Sequence, residues 1–210
     1  MRYWLTAALF AAHASAFAQA DIGLVNQVKG AVTLSPKSGA AVSAKPFTKV
    51  REGDRFDLPA GAQLRLVYFE GARQERWTGP SSFRASRLQG SALSGAPAEV
   101  TALPASVPQR IARVPELMQN ARLGGVQVRS AQAVRRVQEH SLDEARSTYD
   151  ELRKTLPGDD ITPELYLFTA LNEYQLYEDM APLVDEMLRK QPQSEDVKSL
   201  ASWLKTRRGR

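Results

Sequence analysis

"AQLRLVYF", residues 62–69, is the stretch on which the reading of the fold turns. In an extended chain Leu64, Leu66 and Tyr68 fall on one face, and Gln63, Arg65, Val67 and Phe69 on the other. The first face is wholly apolar or aromatic, while the second becomes apolar only towards its end. That pattern predicts a half-buried strand of an antiparallel sheet, covered more fully at its C-terminal end. Glu70-Gly71 then supplies a tight turn into "ARQERW", residues 72–77, which alternates again and completes a hairpin.

Working upstream, "IGLVNQV" (22–28) and "GAVTLS" (30–35) are short β-prone runs, with Gly30 at a turn or bulge position between them. Gly53-Asp54 reads as a turn, because Asp hydrogen-bonds its own nearby backbone and Gly adopts positive φ freely. A phosphate or metal loop is the competing reading of that dipeptide. Trp77 and Tyr68 fit either a small sandwich core or a platform for a sugar ring; Tyr68 shares a face with Leu64 and Leu66, which favours the core.

Downstream the composition changes. "GSALSGAPAEVTALPASVP", residues 90–108, is rich in Ser, Ala, Gly and Pro and predicts a linker or a loose covering strand. From residue 109 the hydrophobic period is helical. One helix ends at Gly124-Gly125, with Pro115 kinking it or starting a second turn. Ser141 and Glu144 have capping-box spacing before a helix that aligns Ala145, Tyr149 and Leu152. Thr162 is the expected cap of the next helix, with Pro163 at its first position. Ser194 caps the last, which buries Val197, Leu200, Trp203 and Leu204. The fold class expected is α+β in two modules, a small antiparallel β-sandwich or roll over 21–89 followed by an α-helical hairpin region over 109–210.

The N-terminal "MRYWLTAALFAAHASAFAQA" has a basic start, an apolar stretch and a small-residue Ala18-Gln19-Ala20 site, so residues 1–20 read as an export signal peptide cleaved after Ala20. The apolar stretch is broken by His13 and falls short of the about 20 residues of a comfortable membrane span. The sequence contains no Cys, which excludes a lipoprotein acyl anchor. The expectation is a periplasmic protein with no transmembrane segment after cleavage. Between Asp21 and Leu103, 11 Lys/Arg stand against 7 Asp/Glu; from Pro104 to Arg210 the count is 16 against 16. An excess of four is too small to argue for nucleic acid, and is compatible with an anionic envelope polymer or acidic partner.

No catalytic constellation emerges. His140 is the one histidine after the leader, with neither a second His nor a Cys to complete a metal or acid–base set. There is no GxSxG, HExxH, P-loop or calcium loop. Asp159-Asp160 reads as helix-start electrostatics and a turn, and Asp185-Glu186 as a solvated face. We therefore expect no enzyme activity, no cofactor and no metal.

Two resemblances follow from the quoted residues. "GAVTL" at Gly30, "REGDRFDL" around Gly53-Asp54, "PAGAQLRLVYFEG" through Gly61 and Gly71, and "WTGPSSF" at 77–83 together resemble the FecR-type domain over about residues 22–86. Members of that family in iron-uptake regulators pass a receptor signal onward through a transmembrane helix and a cytoplasmic segment. This sequence has neither, so the resemblance implies a stand-alone exported form. Ala145, Tyr149, Leu152 and Pro157 match Met180, Val184, Met187 and Pro192 at a constant spacing of 35, which resembles the second helix of tetratricopeptide repeats over about 126–192. Met180, Leu152 and Met187 are larger than that pattern wants, Phe168 stands where it expects a small residue, and Arg129–Arg136 matches a first helix poorly; a generic bundle is the alternative. The repeat resemblance implies that Leu165, Thr169 and Asn172 face a concave partner-binding surface, unless so short an array packs on the β module instead. The functions implied are a non-enzymatic periplasmic protein-interaction or signalling module or, alternatively, a peptidoglycan-binding envelope protein.

Overall fold

A computed structural model describes residues 20–123 and 135–209. Among these residues ten strands form two five-stranded antiparallel sheets, and six helices follow. The strands are β1 (Asp21–Lys29), β2 (Thr33–Ser35), β3 (Val42–Ser43), β4 (Lys49–Arg51), β5 (Arg55–Leu58), β6 (Gln63–Tyr68), β7 (Arg73–Thr78), β8 (Ser81–Ala85), β9 (Gly90–Ser94) and β10 (Glu99–Ala102). Sheet A has the order β10-β7-β6-β1-β4, and sheet B the order β3-β2-β5-β8-β9. The helices are α1 (Ser106–Ile111), α2 (Val114–Leu123), α3 (Arg135–Thr155), α4 (Thr162–Glu173), α5 (Tyr177–Lys190) and α6 (Glu195–Arg208). The α+β, two-module architecture is thus the one the sequence predicts. The expected leader lies outside the described residues apart from Ala20, and no helix among the described residues is long and apolar enough to cross a membrane.

Strand β6 sits at the centre because both of its faces are covered. Leu64, Leu66 and Tyr68 join Leu34, Phe56, Trp77 and Phe83 in the core between the sheets. Phe83 stacks on Trp77 at 4.1 Å and on Phe56 at 4.9 Å, so the aromatic rings are core and not a sugar platform. The opposite face of β6 meets the helices. Val67 clusters with Leu24, Leu103, Val107, Ile111 and the buried faces of α4 and α5, with Phe69 packed alongside. Three layers result: sheet B, sheet A, then helices.

Polar groups fasten the second interface. A register shift between Val25 and Gln27 makes a bulge in β1, and a bulge re-aims consecutive side chains. Asn26 and Gln27 thereby both reach the helical side. Asn26 Nδ2 donates to Gln74 Oε1 (3.0 Å) and to Thr162 Oγ1, Thr162 Oγ1 donates to Gln74 Oε1 (2.8 Å), and Gln74 Nε2 donates to Asp160 Oδ2. Gln27 reaches the carbonyl of Asp159, and Gln191 Nε2 donates to the carbonyl of Asn26 at 2.9 Å. Arg65, the one charge on the covered face of β6, donates to Asp159 Oδ1 at 2.9 Å, and Lys29 to Asp159 Oδ2 at 2.6 Å. Fully buried Glu164 lies between Lys190 Nζ (3.0 Å) and Arg153 Nε (3.4 Å); Lys190 Nζ and Arg153 Nη2 also donate to the carbonyl of Asp160. A buried charge costs several kcal/mol unless paired; here each is matched across elements.

Four local expectations change. Of the two readings of 90–108 the linker does not hold and the strand does, twice over: β9 and β10 add an edge strand to each sheet and α1 begins at Ser106, because backbone pairing there does not need large side chains. Ser141 does not start a helix; α3 runs through it from Arg135, as its unbroken, Gly- and Pro-free sequence permits. Thr162 is the first residue of α4 and not its cap: Asp160 Oδ1 accepts the Thr162 N–H at 2.8 Å, which frees the Thr162 hydroxyl for the sheet. Trp203 is only partly buried, against Phe168 and Tyr177. Pro115 starts the separate helix α2, and Ser194 caps α6 by accepting from Val197 N.

If sheet A is a shared wall, Leu66→Ala and Leu24→Ala, on its opposite faces, will each cost about 2–5 kcal/mol. Urea unfolding followed by tyrosine and tryptophan fluorescence and by far-ultraviolet dichroism will show one transition in both variants; separate transitions for strands and helices would contradict the arrangement. Burial by itself would raise the Asp159 carboxyl, but hydrogen bonds and charge from Lys29 and Arg65 outweigh it and hold the group well below the usual carboxylate range. A carboxyl with a lower pKa when folded stabilises above its unfolded value of roughly 3.9, and loses that contribution as pH falls through the folded value. Asp159→Asn will accordingly lower Tm most at about pH 7, with the difference from wild type shrinking below about pH 4; a constant difference would refute the ion-pair role.

Candidate binding face

With sheet A covered on both sides, the broad β surface left to solvent is the outer face of sheet B. Alternation sets its residues. Val32 and Leu34, then Phe56 and Leu58, then Phe83 and Ala85 are buried, so Thr33, Asp57 and Arg84 between them point outward; Ser82 shares the side of Arg84 but is only 6% exposed. The register places Ser43, Thr33, Asp57, Ser82 and Ser94 opposite one another across all five strands. A second row holds Ser35, Arg55, Arg84 and Ser91. Arg55 Nε and Nη2 both donate to Oδ1 of Asp57, at 3.1 and 2.7 Å, and the hydroxyls of Ser82 and Ser94 are 2.9 Å apart.

At one end of the first row the short side chains leave a groove of about 760 Å3. Thr33, Arg55, Asp57, Ser82 and Ser94 line it, with Leu58, Pro59, Pro80 and Gly95 as its apolar rim. Ser81 also lines the groove; it is 6% exposed, and its Oγ is buried without a hydrogen-bond partner. Gly79 belongs here for steric reasons, since a Cβ would lie 1.9 Å from the carbonyl oxygen of Pro59. The edge strand β9 is pinned from inside the sandwich. Glu75, 2% exposed, accepts from Gly90 N (3.1 and 3.0 Å) and from Trp77 Nε1 (3.0 Å). Burial raises its carboxyl, an effect opposed by those two bonds and the charge of Arg73.

The residues singled out from sequence fall elsewhere. Leu165 and Thr169 are buried in the helical core, and Thr169 Oγ1 is used by the carbonyl of Leu165 at 2.8 Å. The expected concave partner surface at Leu165, Thr169 and Asn172 is therefore corrected: ten consecutive residues of α4, Thr162 to Leu171, are buried by the flanking helices, α1 and the sheet A contacts, and only Asn172 is half-exposed. This is the packing alternative that so short an array invites. Asp54 is a turn residue, its Oδ2 accepting from Arg51 N at 2.8 Å, while Gly53 takes a φ of 91°. Asp159 and Asp160 join the modules, a larger role than a helix start. Asp185 is exposed and Glu186 pairs with Arg189 and Lys190. The side chain of His140 and most of the proposed first repeat helix at Arg129–Arg136 lie outside the described residues. Alternation marks Thr33, Asp57 and Ser82 as outward-facing, but only strand register brings them into a row.

No family model, curated protein or solved structure matches the chain.

A carboxyl whose pKa is raised on folding favours the folded state below its unfolded value and loses that contribution as pH rises through the folded one. Glu75→Gln keeps an oxygen acceptor for Gly90 and Trp77 without the buried charge. Its Tm will exceed wild type at about pH 7, with the gain shrinking at about pH 4; a lower Tm at both would show that the carboxylate itself holds β9.

Proposed function

We propose that this protein is a non-enzymatic periplasmic interaction module, a stand-alone FecR-type domain braced by helical hairpins, which engages a protein partner through one margin of its sandwich. The observation that carries this reading is the distribution of exposed apolar side chains. Among the described residues four large apolar side chains are about half exposed: Leu88, Leu93 and Val100 lie within residues 88–100, on or next to β9 and β10, and Val42 stands apart on β3, at the other edge of sheet B. Strands β9 and β10 are the edges of sheets B and A at the same margin, joined by residues 95–98. Edge strands carry unpaired backbone donors and acceptors and are commonly guarded by Lys or Pro. "GSALS" and "EVTA" contain neither, and the one charge, Glu99, is engaged by Arg76. An apolar, unguarded double edge suits an added strand or a partner's apolar rim.

A second reading, binding to an envelope glycan, is favoured by a separate observation: the hydroxyl-lined groove of sheet B. Co-sedimentation with purified sacculi tests it.

For the first reading, immobilised protein will recover a specific partner from envelope extract. Leu93→Lys combined with Val100→Lys will reduce that recovery about tenfold or more, with stability within about 0.5 kcal/mol, as for ordinary surface changes. Undiminished capture by the double variant, or no specific partner for a stable monomer, would overturn it.

A further inference from the structure

We infer that the groove on sheet B is a saccharide site that takes a neutral polyhydroxyl unit, an inference that rests on the glycan reading and assigns it residues. Exposed positions of a half-solvated antiparallel sheet ordinarily hold long polar side chains that fill the space above it. Here four of the five residues in the central row, Ser43, Thr33, Ser82 and Ser94, end in a hydroxyl one atom beyond Cβ, and the fifth is Asp57. The backbone floor is therefore approachable, and the about 760 Å3 above it falls in the range of about 300–1,000 Å3 typical of small-molecule sites.

The donor and acceptor set selects the ligand. Hydroxyls both donate and accept, so they match the hydroxyls of a sugar and leave an apolar ligand's contacts unpaired. Arg55 places both of its bonds on Oδ1 of Asp57, so Oδ2 has no protein donor among the described residues and is available to a ligand hydroxyl. Asp57 also counts against an anionic ligand: its charge offsets that of Arg55, and an incoming phosphate or carboxylate would meet it directly. Pro59 and Pro80 provide flat apolar edges for sugar C–H faces, and the open top lets a longer chain continue past the bound unit.

The test is amide-resolved NMR titration of the mature chain with a neutral N-acetylglucosamine tetramer and, separately, with inorganic phosphate. The inference expects shifts at Thr33, Asp57, Ser82 and Ser94 on adding the tetramer, with a Kd on the order of 1 mM that is unchanged between about 50 and 300 mM salt. Asp57→Ala will weaken binding about tenfold or more, and Thr33→Val, which keeps the shape and removes a hydroxyl, will weaken it severalfold. Neither will change Tm appreciably, since both side chains are at the surface. Shifts with phosphate and not the tetramer, shifts located elsewhere, or full binding by Asp57→Ala would overturn the site. Sacculi that co-sediment equally with wild type and Asp57→Ala would leave the envelope reading standing and remove this site; tetramer binding without sacculus binding would support the site and remove the envelope reading.

Discussion

Asp160, with no solvent exposure, is the point through which the two halves of this molecule are joined. One carboxylate oxygen accepts the first free N–H of α4, and the other takes Gln74 from the middle of sheet A. Its backbone carbonyl receives Arg153 from α3 and Lys190 from α5. A single residue thereby ties one central strand to three helices. Its neighbour Asp159 does the same for Lys29 and Arg65 with its carboxylate. Buried Asp160, Arg65 and Lys190 are costly alone and stabilising only in company, so their contacts favour one docking geometry, while Lys29 and Asp159 close its partly exposed edge.

That docking decides which surfaces remain for function. The central strands of sheet A are enclosed, and α4, the helix that a free repeat array would offer to a partner, is enclosed with them. The outer face of sheet B and the margin formed by β9 and β10 stay open, as does the opposite edge at β3 with half-exposed Val42. The first two have different chemistry. The face presents hydroxyls and a self-neutralising Arg55–Asp57 pair; the margin presents Leu88, Leu93, Val100 and unpaired backbone. The two proposed roles, a small polar ligand on the face and a protein along the edge, do not compete for the same atoms although both surfaces share β9.

Much of the β module is visible in its alternation. Leu64, Leu66 and Tyr68 point inward because period-two spacing leaves them no other side, and the turns at Gly53 and Gly61 follow from residues that tolerate positive φ. Trp77 is core for the same reason. The edge strands were hidden: "GSALS" and "EVTA" lack the apolar weight of a strand, and their pairing comes from hydrogen bonds to β8 and β7 that any backbone can make. Arg65 and Val67 were legible as a face that is polar first and apolar later, but not as a face that docks helices, since an arginine among apolar residues reads equally well as a solvated position.

From sequence alone come the two-module α+β organisation, the hairpin at 62–77, the buried face of β6 and the caps and breaks near Pro115 and Ser194. All of these rest on local periodicity and local backbone chemistry. Tertiary structure alone decides that Asp159 and Asp160 are clamps, that Leu165 and Thr169 are core, and that Ser43, Thr33, Asp57, Ser82 and Ser94 stand in one row. Each of those facts joins residues tens of positions apart. Strand register and the burial of ion pairs bring them together, and neither is written in the spacing of any one segment.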